Sequence, residues 1–207
     1  MKLIIFGATG TVGRHLVGQA LSQGHRVTAF ARKPSALDLD HPDLTRLAGD
    51  VLDRDAVADA VRGHDAVLIA LGSGRKGTVR SVGTRHIVEA MERGGIRRLI
   101  CQTTLGAGDS RAFLNFFWKR IMFGLLLRKV YADHQVQETF VKRSDLDWVI
   151  VRPGAFTNDP ATGAYQHGFP SPKKRLKLKI SRADVANFML RQLTDATYLR
   201  KTPLLSY

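Results

Sequence analysis

The sequence predicts an α/β fold in three layers, with a central, mostly parallel sheet between helices. Short apolar runs alternate with segments of helical periodicity along the 207 residues, as expected when strands alternate with the helices that cover them. The run from Ala66 to Leu71 is apolar without interruption, which is typical of a parallel strand covered on both faces. Three glycines, Gly7, Gly10 and Gly13, stand between the first apolar run and the first helical pattern.

The start of the chain indicates a strand, a tight turn and a helix start. In such a turn one glycine allows the turn itself, one lets the backbone approach a pyrophosphate and one lets the helix pack closely on the strand. The helix start offers unpaired N–H groups and the positive end of its dipole to phosphates, and Thr9 and Thr11 add hydroxyl donors. We therefore predict a Rossmann-like nucleotide-binding turn rather than a merely structural one.

The second strand predicts which nicotinamide cofactor is bound. The first helical pattern closes at Gly24, and the strand runs from Arg26 to Ala31. At the end of this strand an acidic residue would accept hydrogen bonds from a free ribose 2′-hydroxyl, but this chain has Arg32 and Lys33. Two cations would neutralise the 2′-phosphate of NADP, so we expect NADPH rather than NADH. The alternative is that both are ordinary exposed loop charges.

The next two strands carry residues expected near the adenosine. A short strand from Thr45 to Ala48 precedes Asp50 and Val51, whose carboxylate and apolar side chain suit the amine and the ring of adenine. The alternative for Asp50 is a helix cap, since a helix follows from Asp53 to Val61. The strand from Ala66 to Leu71 ends in a glycine-rich segment that would let the chain pass close to the ribose and diphosphate.

The fifth strand is followed by a hydroxyl that is a candidate ligand contact. A helix from Val82 to Met91 leads to a strand from Arg97 to Gln102, and Thr103 and Thr104 come directly after it. Because the carboxyl end of a central parallel strand faces the ligand crevice, we expect Thr104 to contact nicotinamide or substrate. The alternative is a β-branched residue that only finishes the strand.

The segment from Phe113 to Leu127, which includes Trp118, is strongly apolar and aromatic. Three alternatives stay open for it: part of the core, a lid over a flat substrate or an oligomer face. Its interior charges and short length argue against a membrane span. The helix predicted from Tyr131 to Lys142 places His134 and Glu138 on one face, because they are four residues apart.

The last third of the chain predicts a substrate loop. A sixth strand runs from Leu146 to Val151, and residues 155–172, which include Phe156 and Tyr165, are rich in Gly, Pro and Asn. The remaining predicted elements are a short strand from Arg175 to Ile180, a helix from Val185 to Leu193 capped by Ser181 to Asp184, and an edge strand from Pro203 to Ser206.

Composition limits the class of protein. The length and 44% hydrophobic content fit one NAD(P)-binding domain over residues 1–207, with substrate loops at about 105–130 and 153–175. The single cysteine, Cys101, excludes an internal disulfide framework. Because we find no leader and no apolar run of roughly 18 residues, we expect a cytoplasmic protein without a membrane span. We also expect a monomer or a weak homodimer. The net charge is +14, but basic residues are scattered apart from Lys173 to Lys179, which favours a solvated surface over specific nucleic-acid binding.

Several segments together carry a family resemblance. GATGTVG at 7–13, GDV at 49–51, DWVIVRPG at 147–154 and ISRADVANFMLRQL at 180–193 resemble the atypical short-chain dehydrogenase/reductase group with an NAD(P)H-binding, NmrA-like fold. Within this group the chain resembles the biliverdin reductase B type of NADPH-dependent flavin reductase, with NDPATGAY at 158–165 and FMLRQL at 188–193 as markers.

The resemblance implies that NADPH delivers hydride to a flavin, and in some members to a linear tetrapyrrole or a quinone-like acceptor. FMN would then be a substrate or a bound cofactor. The positions carried over are, for the diphosphate, Gly7, Thr9, Gly10, Thr11 and Val12; for the 2′-phosphate, Arg32; for adenine, Asp50 and Val51; for the ribose, Leu71 and Gly72; and for the nicotinamide end, Thr104, Pro153 and Ala155.

The chain lacks the Tyr-x-x-x-Lys pair with which most short-chain dehydrogenases move a proton. The residues four positions after Tyr131, Tyr165 and Tyr198 are Gln, Phe and Thr. Hydride transfer to a flavin has no such requirement, because the cofactor supplies the chemistry and the protein mainly aligns two planes. Thr104 and His134 are the candidate catalytic residues, as sources of a proton beside solvent.

Four aromatic residues are candidate contacts for a flat small-molecule substrate: Phe113, Trp118, Phe156 and Tyr165. The dispersed histidines and single cysteine offer no metal-ligand spacing. The alternative to an enzyme is a non-catalytic NADP-binding regulator of the NmrA kind. It would use the same cofactor residues and dock a protein partner through the segment from Phe113 to Leu127.

Overall fold

The computed structural model describes residues 1–72, 77–114, 120, 127–168 and 176–207. The strands are β1 (Lys2–Phe6), β2 (Arg26–Ala31), β3 (Leu44–Ala48), β4 (Ala66–Ile69), β5 (Arg98–Gln102), β6 (Asp147–Pro153), β7 (Ala155–Thr157), β8 (Gln166–Gly168), β9 (Lys179–Ser181) and β10 (Leu204–Ser206). The helices are α1 (Gly13–Ser22), α2 (Arg54–Val61), α3 (Val79–Gly94), α4 (Arg128–Arg143) and α5 (Arg182–Arg191), with short 3₁₀ turns at Pro34–Ala36 and Gly108–Phe113.

Eight strands form one central sheet in the order β3-β2-β1-β4-β5-β6-β10-β8. All neighbours from β3 to β10 run parallel, and β8 alone is antiparallel to its neighbour. The register places Ile5 beside Ala29 on one side and Leu68 on the other. The mostly parallel sheet is therefore confirmed.

The sheet is buried on both faces, which gives three layers. Successive side chains of a strand point to opposite faces. Leu3 and Ile5 of β1 accordingly pack in one apolar cluster with α1 and α5. Ile4 and Phe6 pack in a second cluster with α2, α3 and α4. The three-layer prediction is confirmed, because every residue from Leu3 to Phe6 is fully buried.

Two predictions for the last part of the chain need correction. The strand β10 is not at the edge, because it lies between β6 and β8 and its Leu205 pairs with both Pro153 and His167. The predicted loop 155–172 also contains β7 and β8. The pairing of β7 with β9 forms a separate two-stranded sheet in which Phe156 lies beside Ile180. These partners are distant in sequence, so local patterns do not reveal them.

Helix ends follow local caps in two cases and a tertiary cap in one. Asp53 accepts hydrogen bonds from the backbone N–H groups of Asp55 and Ala56 at the start of α2. Ser181 caps α5 in the same way, as predicted. Helix α3 begins three residues before the predicted Val82, because the carboxylate of Asp133 on α4 accepts from two of its first-turn N–H groups.

Most of the apolar segment from Phe113 to Leu127, including Trp118, lies outside the described residues. Among the helices that are described, none combines the length and apolar character needed to cross a membrane. No cluster of side chains suited to hold a metal ion occurs within the described ranges.

Candidate functional site

The glycine turn is closed so tightly that neither Gly7 nor Gly13 could carry a side chain. Gly7 has a φ of +83°, and a Cβ there would lie 2.4 Å from the carbonyl oxygen of Ala70 at the end of β4. A Cβ on Gly13 would lie 2.1 Å from the carbonyl oxygen of Gly7. The backbone N–H of Gly10 donates to that same oxygen over 2.9 Å. The turn thus holds α1 directly against β1.

The start of α1 suits an anionic group. The helix begins after Val12 with no side-chain cap and no acidic residue in its first turn, so its positive end is not neutralised by the protein. Thr9 is half-buried and Thr11 is exposed beside it. Arg14, which sequence reasoning missed, donates from Nε to the carbonyl oxygen of Thr9 over 3.1 Å and adds a cation to the turn. Its position in the first turn of α1 could have identified it from the sequence as a residue near the diphosphate.

The predicted 2′-phosphate and adenine residues follow neighbouring strands. Arg32 and Lys33 are exposed after β2, at the same end of the sheet as the glycine turn. Asp50 is exposed after β3, and its Oδ1 accepts from the N–H of Leu52 over 3.0 Å. Val51 is buried against α3, where a Cβ on Gly83 would lie 2.6 Å from its Cγ2.

The residues predicted to contact the ribose lie at the end of the next strand along the crevice. Leu71 and Gly72 follow β4, which is the next strand after β1 in the sheet. Leu71 is buried and Gly72 is exposed. The residues predicted to bind the cofactor up to this point all lie at the carboxyl ends of β1 to β4, the edge at which open α/β sheets bind nucleotides.

Beyond β5 and β6 lies a small cavity of about 160 Å³, here called the β5–β6 pocket. It is lined by Thr104, Leu105, Leu114, Leu127, Val130, His134, Gly154, Ala155, Phe156 and Leu178. The structure thus brings together four residues that the sequence singled out separately, Thr104, His134, Ala155 and Phe156. Pro153 adjoins the pocket, since its carbonyl oxygen accepts from the N–H of Leu105 over 2.9 Å.

His134 is buried in the wall of this pocket, with 6% of its surface exposed. Its Nδ1 lies 3.0 Å from Oε1 of Gln137. Burial, with the nearby charge of Arg80, lowers the pKa of His134 from 6.5 to about 4. The imidazole is therefore neutral at neutral pH, which disfavours the predicted role of His134 as a proton source.

An ionic network that sequence reasoning missed fixes the pocket from behind. Arg152 is 1% exposed and binds the carboxylate of Glu138 through two contacts, Nε to Oε1 at 2.8 Å and Nη2 to Oε2 at 2.6 Å. Its Nη1 also contacts Asp109 at 2.5 Å, and the hydroxyl of Thr103 donates to Oε1 of Glu138 over 2.9 Å. The available signal was an arginine that directly follows the apolar run from Trp148 to Val151 within β6.

The opposite charges of this network stabilise each other's ionised forms. Burial opposes ionisation of Glu138, but the hydrogen bonds and charge of Arg152, aided by Lys142, outweigh it and lower the pKa of the carboxyl group. The pKa of Arg152 is raised, because its two acidic partners outweigh its own burial. The network joins the end of β5, helix α4 and the 3₁₀ turn at Gly108–Phe113, which precedes Leu114 of the pocket.

Of the other predicted substrate contacts, Tyr165 lies away from this pocket, whereas Phe113 packs against residues that line it. The hydroxyl of Tyr165 lies 2.8 Å from Oδ1 of Asn187, and its ring packs edge-on against Phe188 of α5, so Tyr165 belongs to the opposite face. Phe113 packs beside Leu114 in a small cluster with Leu105.

Similar proteins support a shared fold. The UPF0659 protein YMR090W of Saccharomyces cerevisiae is 29% identical over 93% of this chain and 87% of its own length. ChuY, an anaerobillin reductase from Escherichia coli O157:H7, is 27% identical, with a TM-score of 0.82 over 100% of this chain and 97% of ChuY. A short-chain dehydrogenase/reductase from Veillonella parvula in complex with NADP has the same fold, with 20% identity and a TM-score of 0.82 over 100% of this chain and 94% of its own.

The match to a protein family covers most of the chain and not only the glycine turn. The model for the NAD(P)H-binding family matches residues 7–196, from the first glycine of the turn to a point beyond the end of α5. This range contains the crevice at the ends of β1 to β4 and the β5–β6 pocket. The chain therefore belongs to the NAD(P)H-binding family.

Proposed function

We propose that this protein is an NADPH-dependent reductase that transfers hydride to a flavin or a similar flat conjugated acceptor. The observation that carries the proposal is the position of the β5–β6 pocket. Its apolar wall adjoins Thr104, Pro153 and Ala155, the residues proposed for the nicotinamide end of the cofactor. A cofactor laid along the crevice from Arg32 would therefore end at a cavity suited to an apolar ring.

The residues of this chain fit NADPH along the whole crevice. The glycine turn leaves backbone N–H groups and the start of α1 for the diphosphate, and Arg32 and Lys33 offer cations for the 2′-phosphate. Bound NADPH supplies the hydride, and the reaction consumes one proton as the acceptor gains a hydride and NADP⁺ is released. We assign that proton to solvent, since His134 is neutral at neutral pH.

Phe156 is the residue best placed to orient a flat acceptor. It lies at the pocket with 36% of its surface exposed, and its ring is held from behind by the guanidinium of Arg182, 5.1 Å from the ring centre. Arg182 is in turn tied to the carbonyl oxygen of Thr157 at 3.1 Å and to Asn158 at 2.7 Å. A fixed, half-exposed aromatic ring favours stacking on a conjugated substrate. The relation to ChuY, an anaerobillin reductase, supports the same class of acceptor.

The test is NADPH oxidation with FMN, riboflavin, a quinone and a linear tetrapyrrole offered separately. Turnover with one of them supports a reductase and ranks its acceptors. Tight NADPH binding with no turnover on any of them would refute the proposal and favour a non-catalytic NADP-binding regulator.

The choice of cofactor is tested separately with Arg32→Ala. We expect this variant to raise the KM for NADPH about tenfold and to leave that for NADH unchanged, because only NADPH carries the 2′-phosphate. Arg62→Ala is the matched control, since Arg62 is also exposed but follows α2, where it pairs with Asp59 at the surface. An equal effect of both variants on NADPH would contradict the assignment of Arg32.

A further inference from the structure

Among the described residues that line the β5–β6 pocket, one side-chain polar atom is left without a role by hydride transfer. Of the described residues that line it, only Thr104 and His134 carry polar side chains. The hydroxyl of Thr104 already donates to the carbonyl oxygen of Leu105 over 3.3 Å. Nε2 of His134 has no hydrogen-bond partner among the residues that the structure describes. The unused polar atom therefore lies on a buried side chain within an apolar wall.

A buried chain of hydrogen bonds determines which imidazole nitrogen carries the hydrogen. The amide nitrogen of Gln137 donates to Oγ1 of Thr84 over 3.1 Å and to Sγ of Cys101 over 3.3 Å. Burial raises the pKa of the Cys101 thiol, which stays protonated and directs its hydrogen towards the carbonyl oxygen of Gln102. The sulfur is thus an acceptor towards Gln137, and the amide oxygen of Gln137 is left to face His134.

An amide oxygen only accepts, so Nδ1 of His134 must be the donor across the 3.0 Å contact. In a neutral imidazole the other nitrogen then carries a lone pair and no hydrogen. Arg80, Asp133 and Glu138 are the charged groups around this ring, and burial with the charge of Arg80 outweighs the two carboxylates in lowering its pKa. Nε2 is consequently an acceptor at neutral pH.

We propose that Nε2 of His134 accepts a hydrogen bond from an N–H group on the edge of the electron acceptor. The pocket then selects flat acceptors that present an N–H, such as the N3–H of a flavin or the pyrrole N–H of a linear tetrapyrrole, over quinones, which have none. This inference rests on the proposed reductase function. His134 is a positioning residue here, because it moves neither hydride nor proton.

The kinetic test compares two enzymes on two flavins that differ by one methyl group. Wild type is expected to use riboflavin about tenfold better than N3-methylriboflavin in kcat/KM. His134→Leu should lose that preference, because its kcat/KM falls for riboflavin. Its kcat/KM for the N3-methyl compound and for a quinone should stay within about twofold of wild type. His134→Gln is the conservative variant, because its amide oxygen reaches the position of Nε2 and should restore the preference. A uniform fall on all substrates in His134→Leu would indicate a structural role and overturn the proposal.

A second measurement does not depend on turnover. In ¹⁵N-histidine NMR spectra of the full chain at about pH 7, His134 should be protonated at Nδ1 and unprotonated at Nε2. Lumichrome, a flat ring system with N–H groups, should shift the Nε2 resonance, whereas its N-methylated analogue should not.

The two measurements separate the possible failures. A hydrogen on Nε2, or a shift caused equally by both ligands, overturns the inference even if flavins are reduced. The expected NMR result without NADPH oxidation overturns the reductase function and keeps His134 as a binding site for N–H groups.

Discussion

Replacing Gly13 by alanine tests whether close contact between α1 and β1 holds the nucleotide-binding turn together. The added Cβ would lie 2.1 Å from the carbonyl oxygen of Gly7 and 2.9 Å from two backbone atoms of Ala8. The helix must therefore move away by about 1 Å before the contact becomes tolerable. Overpacking of this kind typically costs 1–3 kcal/mol, and we expect about 3 kcal/mol because the obstructing atoms are all backbone.

The matched control is the same substitution five residues later in the same helix. Gly18 also lies in α1, and a Cβ there meets nothing within 4 Å. Gly18→Ala should therefore stabilise the protein by about 0.5–1 kcal/mol through the lower entropy of the unfolded chain. Both variants replace a glycine of α1 by alanine, and only the Cβ at position 13 meets the backbone of Gly7 and Ala8.

Both variants are measured by urea unfolding and by NADPH titration calorimetry. Gly13→Ala should lower the free energy of unfolding by about 3 kcal/mol and weaken NADPH binding by more than tenfold. Gly18→Ala should leave NADPH binding unchanged. If Gly13→Ala is as stable as wild type and binds NADPH normally, the contact of α1 with β1 does not shape the site, and the reasoning is refuted.

Three further predictions follow from the site. The pKa of His134 is lower in the folded protein than in the unfolded chain, so the unfolded chain binds more protons between about pH 4 and 6.5. The free energy of unfolding should therefore fall by about 3 kcal/mol as the pH drops through this range. Urea unfolding of His134→Leu should not show that loss. Glu138→Gln should cost about 3 kcal/mol by urea unfolding, because Arg152 loses a buried ionic partner; a variant as stable as wild type would contradict this. Since the pKa of Glu138 is lowered in the fold, wild type should lose this stabilisation as the pH falls below about 4.5, and Glu138→Gln should not. Phe156→Ala should raise the KM for a flavin several-fold with kcat little changed, and an unchanged KM would exclude stacking on this ring.

The order of the strands and helices up to β6 could be predicted from the sequence because their patterns depend on near neighbours along the chain, whereas β7 and β8 were missed. The uninterrupted apolar run at Ala66, the glycine turn at Gly7 and the cap at Ser181 are local signals, and the structure has a strand, a turn and a helix start there. The early start of α3 was missed, since its cap is the side chain of Asp133, far away in sequence. The position of β10 inside the sheet depended on β8, a partner with no local signal.

The sequence by itself determined the turn at which the nucleotide-binding crevice begins, because a strand, a turn and a helix start lie within thirteen consecutive residues. Only the tertiary structure decided the rest of the site. The β5–β6 pocket exists because α4 folds over the ends of two strands and the ion pair between Glu138 and Arg152 holds it there. Burial in that contact, and the amide of Gln137, turn His134 into a neutral acceptor. The contact between Glu138 and Arg152 and the burial of His134 depend on how α4 packs on the sheet, whereas Gln137 lies only three residues after His134 on the same helix.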